Sequence, residues 1–170
     1  MIALMLTNGL RTCEVERIDT DDFATQNGRS ILMIQRKGRA DKREAIAVTT
    51  YIEQLKDDYL NDRKSEVEAL FINHSAGGGS RLSRLSISQI VKKRLRAVGI
   101  DRPEVTAHSL RHTCGSLLVE SGVEIESIRD LLGHTDTATT RIYIEMAVRR
   151  RTLENSPANI VEAMLLGKKD

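Results

Sequence analysis

Apolar residues recur along this chain at two spacings. In SILMIQRK (30–37) and REAIAVT (43–49) they follow one another in runs of four and read as two strands; in most other stretches they recur every three or four, the helix period. Residues 1 to 18 predict a helix interrupted near Asn8-Gly9, a pair that favours a turn. Asn27-Gly28 predicts a two-residue hairpin turn, and GRAD (38–41) joins the next two runs, so three antiparallel strands fit residues 22 to 48. Thr49 or Thr50 is placed to cap a helix to about Asn61, with Ile52, Leu55, Tyr59 and Leu60 on its apolar side. Residues 73 to 82, NHSAGGGSRL, predict a flexible loop. A basic helix from about Ser86 to Val98 stops at Gly99. Thr106 caps a helix through Glu120, in which Leu110, Cys114, Leu117 and Leu118 make an apolar stripe with Arg111 on its edge. Helices are also predicted over about 124–132, from near Asp136 through Tyr143, and from Pro157, which follows the capping Ser156, to about Leu166. The fold class is mainly α with a small three-stranded antiparallel sheet.

Composition narrows the setting. The chain has 170 residues, 40% hydrophobic and 29% charged, which suits one domain with a real core. Aromatics are 3% with no Trp, so that core is aliphatic. No apolar run approaches the ~20 residues of a membrane span, and the N-terminus lacks the basic region of a signal peptide. The expectation is a cytoplasmic protein with no membrane partner. Cys13 and Cys114 are too few for a disulfide framework and are expected buried and reduced. His108 and His112 stand four apart but lack the glutamate of HExxH and a third ligand, so no metal and no cofactor are expected.

The net charge is only +2, yet it is unevenly spread. Residues 36–43 hold five basic side chains and one acid, and residues 81–102 hold seven against Asp101 alone. Residues 53–68 hold six acids against three bases. Such separation fits a face for a polyanion, although on charge alone a solvated surface with local runs is the simpler reading. The DNA-contact candidates are Arg36, Arg39, Lys42, Arg43, Arg81, Arg84, Lys92, Lys93 and Arg96.

Within HSLRHTCGSLL (108–118), His108 and Arg111 fall in the first turn of a helix. Free backbone N–H groups and the positive dipole end favour an anion there, and a guanidinium fork beside them suits phosphate. Alone, His-x-x-Arg equally fits an ordinary polar helix start. Three further stretches change that: NGLRTCEVERI with Arg11 and Glu14, IQRKGRADKREAIAV with Lys37, and LLGHTDTATTRIYIE with His134 and Tyr143. In this order and spacing the chain closely resembles, from about residue 4 to 147, the catalytic domain of the tyrosine recombinases, the phage integrase and Xer-type family.

The family pattern of Arg, hairpin Lys, His-x-x-Arg, His or Trp, and nucleophilic Tyr falls on Arg11, Lys37, His108, Arg111, His134 and Tyr143, with the supporting acid at Glu14. Asn8 and Cys13 depart from the family's usual Thr and Ser or Gly, outside the catalytic positions. The resemblance implies that Tyr143 attacks a DNA phosphate and forms a 3′-phosphotyrosyl link. Arg11 and Arg111 would clamp the non-bridging oxygens, His108 would accept the tyrosyl proton, His134 would donate to a phosphate oxygen, and Lys37 would protonate the leaving 5′ oxygen. Glu14 would orient a neighbour. His74 and His112 match no catalytic position.

Residues 1–170 therefore read as a catalytic domain without the N-terminal core-binding domain that members carry. Residues 156–170 read as a tail helix whose stripe of Ile160, Val161, Met164 and Leu165 docks on its own chain or on a neighbouring subunit. The expected partners are double-stranded attachment-site DNA and other recombinase subunits. The expected activity is integration or excision of a mobile element. A type IB topoisomerase shares the chemistry, and a non-catalytic helical DNA-binding regulator would explain the basic helix but not Lys37, His134 and Tyr143.

Overall fold

In the computed structural model, residues 1–41, 44–74, 79–133, 145 and 157–166 are described. Lys42, Arg43, His134, Tyr143 and the helix expected from near Asp136 lie outside the described residues. The chain divides into two units, Met1–Cys114 and Gly115–Asp170.

In the first unit, α1 (Ile2–Thr7) ends at Asn8, and Gly9 turns the chain with φ of +61° before α2 (Thr12–Glu16). A one-turn 3-10 helix, Thr20–Asp22, leads into the sheet. There β1 (Phe23–Gln26), β2 (Arg29–Ile34) and β3 (Glu44–Ala47) are antiparallel in that order. Asn27 and Gly28 both have positive φ, 51° and 72°, the pattern of the turn that matches strand twist. β2 buries every second side chain, Leu32 and Ile34, against the core. Leu4, Met5, Leu10, Val15, Ile87 and Val91 join them in one aliphatic cluster. Each fully buried Leu or Ile is worth roughly 1.5–3 kcal/mol.

The helix α3 (Thr50–Arg63) begins as expected, with the Thr49 hydroxyl accepting the Ile52 N–H at 3.3 Å, but runs two residues past Asn61. Its last side chain explains the extension. The buried Arg63 guanidinium turns back onto the carbonyls of Ser65 at 3.1 Å and Leu70 at 2.8 Å, and also meets those of Val67 and Ala69. This ties down residues 65–70, for which the pattern predicts nothing. Their backbone lies beside the α2 exit, with Leu70 N–H donating to Ile18 O at 2.9 Å. The loop expected at 73–82 is pinned at its ends, where Asn73 N–H donates to Ser80 O at 2.8 Å.

The helix α4 (Arg84–Ala97) starts two residues earlier than the pattern predicts, because Ser83 caps it by accepting from the Ser86 N–H at 3.1 Å. The Thr106 hydroxyl accepts the His108 N–H at 3.3 Å where α5 (Ala107–Glu120) begins. The buried face of α5 is rotated from the expected one: Leu110, Arg111 and Cys114 are buried, whereas Leu117 is 54% exposed. At about 100° per residue, a face that takes in Arg111 leaves Leu117 at its margin.

In the second unit, α6 (Ile125–Leu132) buries Ile128 and Leu132 and ends at Gly133 in the left-handed conformation, φ 58°. The helix α7 (Pro157–Leu165) carries exposed Val161, Met164 and Leu165. Among the described residues no helix is long and apolar enough to cross a membrane.

Candidate active site

The site is built around a buried carboxylate. Glu14, 0% exposed, is the third residue of α2, from where its side chain reaches back to the helix start. It accepts the Arg11 backbone N–H at 2.8 Å and the Arg11 guanidinium at 2.9 Å. A second guanidinium, that of Arg36, lies 3.7 Å from the same carboxylate and donates from Nε to Glu44 at 2.8 Å. A buried anion needs such pairing. The effect on Arg11, with 22% of its side chain exposed, is to hold it in one direction.

His108 and Arg111 come from the first turn of α5. Arg111 is 1% exposed and donates to the Gly9 carbonyl at 2.5 Å. It thereby ties α5 to the glycine turn just before Arg11, and sits deeper than a polar residue on the stripe's edge would. The His108 and His112 rings meet edge to face, with centroids 4.6 Å apart. Burial is the main reason that the His108 pKa lies below its ordinary value; the nearby His112, Arg111 and Arg11 push the same way. Burial and then Arg111 do the same to His112. The neutral imidazole is therefore favoured at neutral pH, the form that accepts a proton.

These segments meet at a cavity of about 380 Å³ whose lining includes Arg11, Lys37, Arg84, Ser88, Thr106 and His108. Lys37, exposed in the turn that follows β2, also lines it. No carboxylate belongs to the lining among the described residues, so the charged groups there are all cationic or basic. Arg11, Lys37 and His108 thus converge; Glu14 and Arg111 stand buried. His134 and Tyr143 lie outside the described residues. Cys13, Ser88 and Thr106 also line the cavity although no motif marks them as site residues.

The DNA-contact candidates divide. Arg36 is corrected: it is 6% exposed and bound to Glu44 and Glu14, because it continues the inward phase of Leu32 and Ile34. The partner Glu44 was legible from register, since it pairs with Ile34 across the hairpin. Arg81, exposed, donates to the Glu16 and Ile18 carbonyls at 2.9 and 3.2 Å and pairs with Asp19. The Lys92 ammonium is likewise turned to the carbonyls of Arg102 and Val105. Arg84 pairs with Glu16 at 3.1 Å and Arg96 with Asp101 at 2.8 Å. Lys93 lines a different, largely apolar groove of about 1000 Å³ with Ile90, Leu55 and Phe71. Arg39 is exposed. Among the described residues one acidic group, Asp19, Asp21 and Asp22, has metal-ligand spacing, but none of the three lines the cavity.

The chain matches the family model for the phage integrase family over residues 1–150. It is 28% identical over 165 residues to the tyrosine recombinase XerA of Thermococcus kodakarensis, covering 97% of this chain and 56% of that protein. To the tyrosine recombinase XerD of Listeria innocua it is 32% identical over 157 residues, covering 88% and 50%. Its fold superposes on the XerH site-specific recombinase bound to its palindromic difH substrate with a TM-score of 0.77, at 27% identity, over 93% of this chain and 44% of that one. The chain spans about half the length of the curated relatives it matches. It belongs to the phage integrase family of tyrosine recombinases and carries the fold of their catalytic domain.

Proposed function

We propose that this chain is the catalytic part of a site-specific DNA recombinase that cuts and rejoins strands through a 3′-phosphotyrosyl intermediate, in integrating or excising a mobile element. The observation that carries this reading is the convergence of Arg11, Lys37 and His108, from three distant segments, on one cavity that no carboxylate lines among the described residues. Such a site suits a phosphodiester and the extra negative charge of its transition state. The XerH structure bound to difH as a post-cleavage complex, and the Tn1549 transposon integrase bound to transposon-end DNA, which shares the fold, support it.

The Tyr143 oxygen attacks the scissile phosphorus, and the bond from phosphorus to the 5′ oxygen breaks. The phenolic proton passes to His108, whose burial keeps it neutral. Lys37 gives a proton to the departing 5′ oxygen, and His134 donates to a phosphate oxygen. Arg11 binds the non-bridging oxygens. Arg111 works from beneath, holding the Gly9 turn and adding positive field. Together the cations supply the field that Mg²⁺ provides in many phosphoryl transfers, so cleavage survives EDTA. The exposed apolar side chains of α7 supply a surface for another subunit.

A nicked suicide duplex carrying the element's own attachment site tests the reading. The chain traps a complex that resists denaturant, and Tyr143→Phe abolishes it while DNA binding persists. An undiminished adduct in that variant would overturn the assignment.

A further inference from the structure

The cavity's cations are not equally free. Arg11 is aimed by a buried carboxylate, but Arg84, which also lines the cavity, is held by a partly exposed acid. The Arg84 Nε lies 3.1 Å from one oxygen of Glu16, and the Arg84 backbone N–H donates to the other at 3.1 Å. The Arg84 side chain is 64% exposed, and Glu16, the last residue of α2, retains 21%. Glu16 is not itself part of the cavity lining. One carboxylate therefore occupies the guanidinium that a DNA phosphate entering beside Arg11 and Lys37 would meet.

We propose that Glu16 is an internal competitor for that phosphate: Arg84 exchanges its carboxylate partner for a backbone phosphate of the DNA when the duplex seats on the cavity. This rests on the DNA-cleaving reading above and adds a regulated contact to it. An exposed ion pair contributes little in water, so a phosphate displaces it readily. The exchange moderates non-specific binding, because each engagement of Arg84 must first break a pair that already neutralises it. Glu14 does the opposite for Arg11, since its full burial and the second guanidinium beside it, that of Arg36, keep that pair intact. The two acids, two residues apart on α2, thus do different work: one aims a cation and the other withholds one.

The test is the salt dependence of binding to a short linear duplex of mixed sequence, read by fluorescence anisotropy on the full chain. Glu16→Gln removes the charge but keeps an oxygen for the Arg84 backbone N–H, so the helix start is preserved. This variant binds about two- to five-fold tighter, the range a released surface pair allows. Its log K against log salt is steeper by up to about 0.9, because in the parent the carboxylate that Arg84 leaves takes up a cation from solution and offsets the counterion released at the phosphate. Arg84→Gln loosens binding, and in its background Glu16→Gln changes neither quantity.

If Glu16→Gln leaves affinity and slope unchanged, or acts equally with and without Arg84, the inference is overturned and Glu16 only anchors α4. If the parent chain binds no duplex and traps no adduct on the nicked substrate, the underlying reading fails as well. A parent that does both, with a silent Glu16→Gln, fails the inference alone.

Discussion

The hairpin segment after β2 and the helix α4 are both runs of basic residues, yet their charges end in different places. In the hairpin the two-residue period sorts neighbours: Arg36 follows Leu32 and Ile34 into the core, while Lys37 takes the opposite phase and lines the cavity. On α4 the basic residues spread around the cylinder and meet surface partners, Arg84 with Glu16, Lys92 with two carbonyls, Arg96 with Asp101. A basic run therefore does not by itself make a DNA face. Just past the end of β2, adjacent cations are sorted between core and cavity, whereas on the helix most of them meet surface partners.

If that contrast holds, the largest effect belongs to Lys37. Lys37→Ala slows cleavage of ordinary DNA by about 10²- to 10⁴-fold, the usual worth of a positioned acid. A bridging 5′ sulfur at the scissile position restores the rate, because a thiol with pKa ~8.5 leaves without a proton. Arg111→Ala gains no such rescue, since its contribution is to field and positioning. Rescue of both variants alike, or of neither, would remove Lys37 as the specific acid.

Next in size is the hairpin's inward half. Glu14→Ala leaves Arg36 and Arg11 without their shared buried carboxylate and lowers the unfolding free energy by about 3–5 kcal/mol. Removing an acid from the α4 side, as in Asp101→Ala, leaves the urea midpoint in place. Equal losses in the two variants would erase the distinction between the regions.

Much of this was legible beforehand. The hairpin turn at Asn27-Gly28, the caps at Thr49 and Thr106 and the stops at Gly99 and Gly133 are local chemistry, and local chemistry reads along the chain. The convergence of Arg11, Lys37 and His108 was foreseeable only because the motifs stand in a family's order. What escaped is non-local. Asp19 lies 62 residues from Arg81 and Glu16 lies 68 from Arg84, so residues 81–102 read as almost unopposed positive charge. Arg63 pins residues 65–70 through backbone carbonyls, which no side-chain pattern encodes. The burial of Arg36 follows from its phase, two residues beyond Ile34, which overrides its charge.

A third effect is smaller and belongs to the cavity side. His108 and His112 are both held below the ordinary value of ~6.5, chiefly by burial. As pH falls through ~6.5 the unfolded chain takes up protons at these positions before the folded one does, so folding stability is full above that pH and declines below it. The double variant His108→Gln, His112→Gln flattens this part of the urea-midpoint profile. In the parent chain the acid limb of cleavage lies below pH ~6.5, as it must if neutral His108 is the base. A limb above that value would contradict the electrostatics of the site.

The smallest effect comes from the far end of α4. Arg96 and Asp101 are both largely exposed, and the Arg96 hydrogen bond is the main reason that the Asp101 carboxyl lies below its ordinary range. Arg39, by contrast, is exposed on the hairpin and makes no ion pair among the described residues. A cation already neutralised by an acid releases few counterions when DNA arrives, whereas an unpaired one releases nearly a full share. Arg39→Gln therefore flattens log K against log salt by roughly 0.9, and Arg96→Gln hardly changes it. Proton titration of Asp101 by NMR supplies the independent check: in Arg96→Gln its pKa rises toward ~3.9, showing that the pair existed in solution. If Asp101 moves as expected and Arg96→Gln nevertheless flattens the salt slope as much as Arg39→Gln does, surface pairing does not withhold cations from DNA. The two basic segments would then differ only in Arg36.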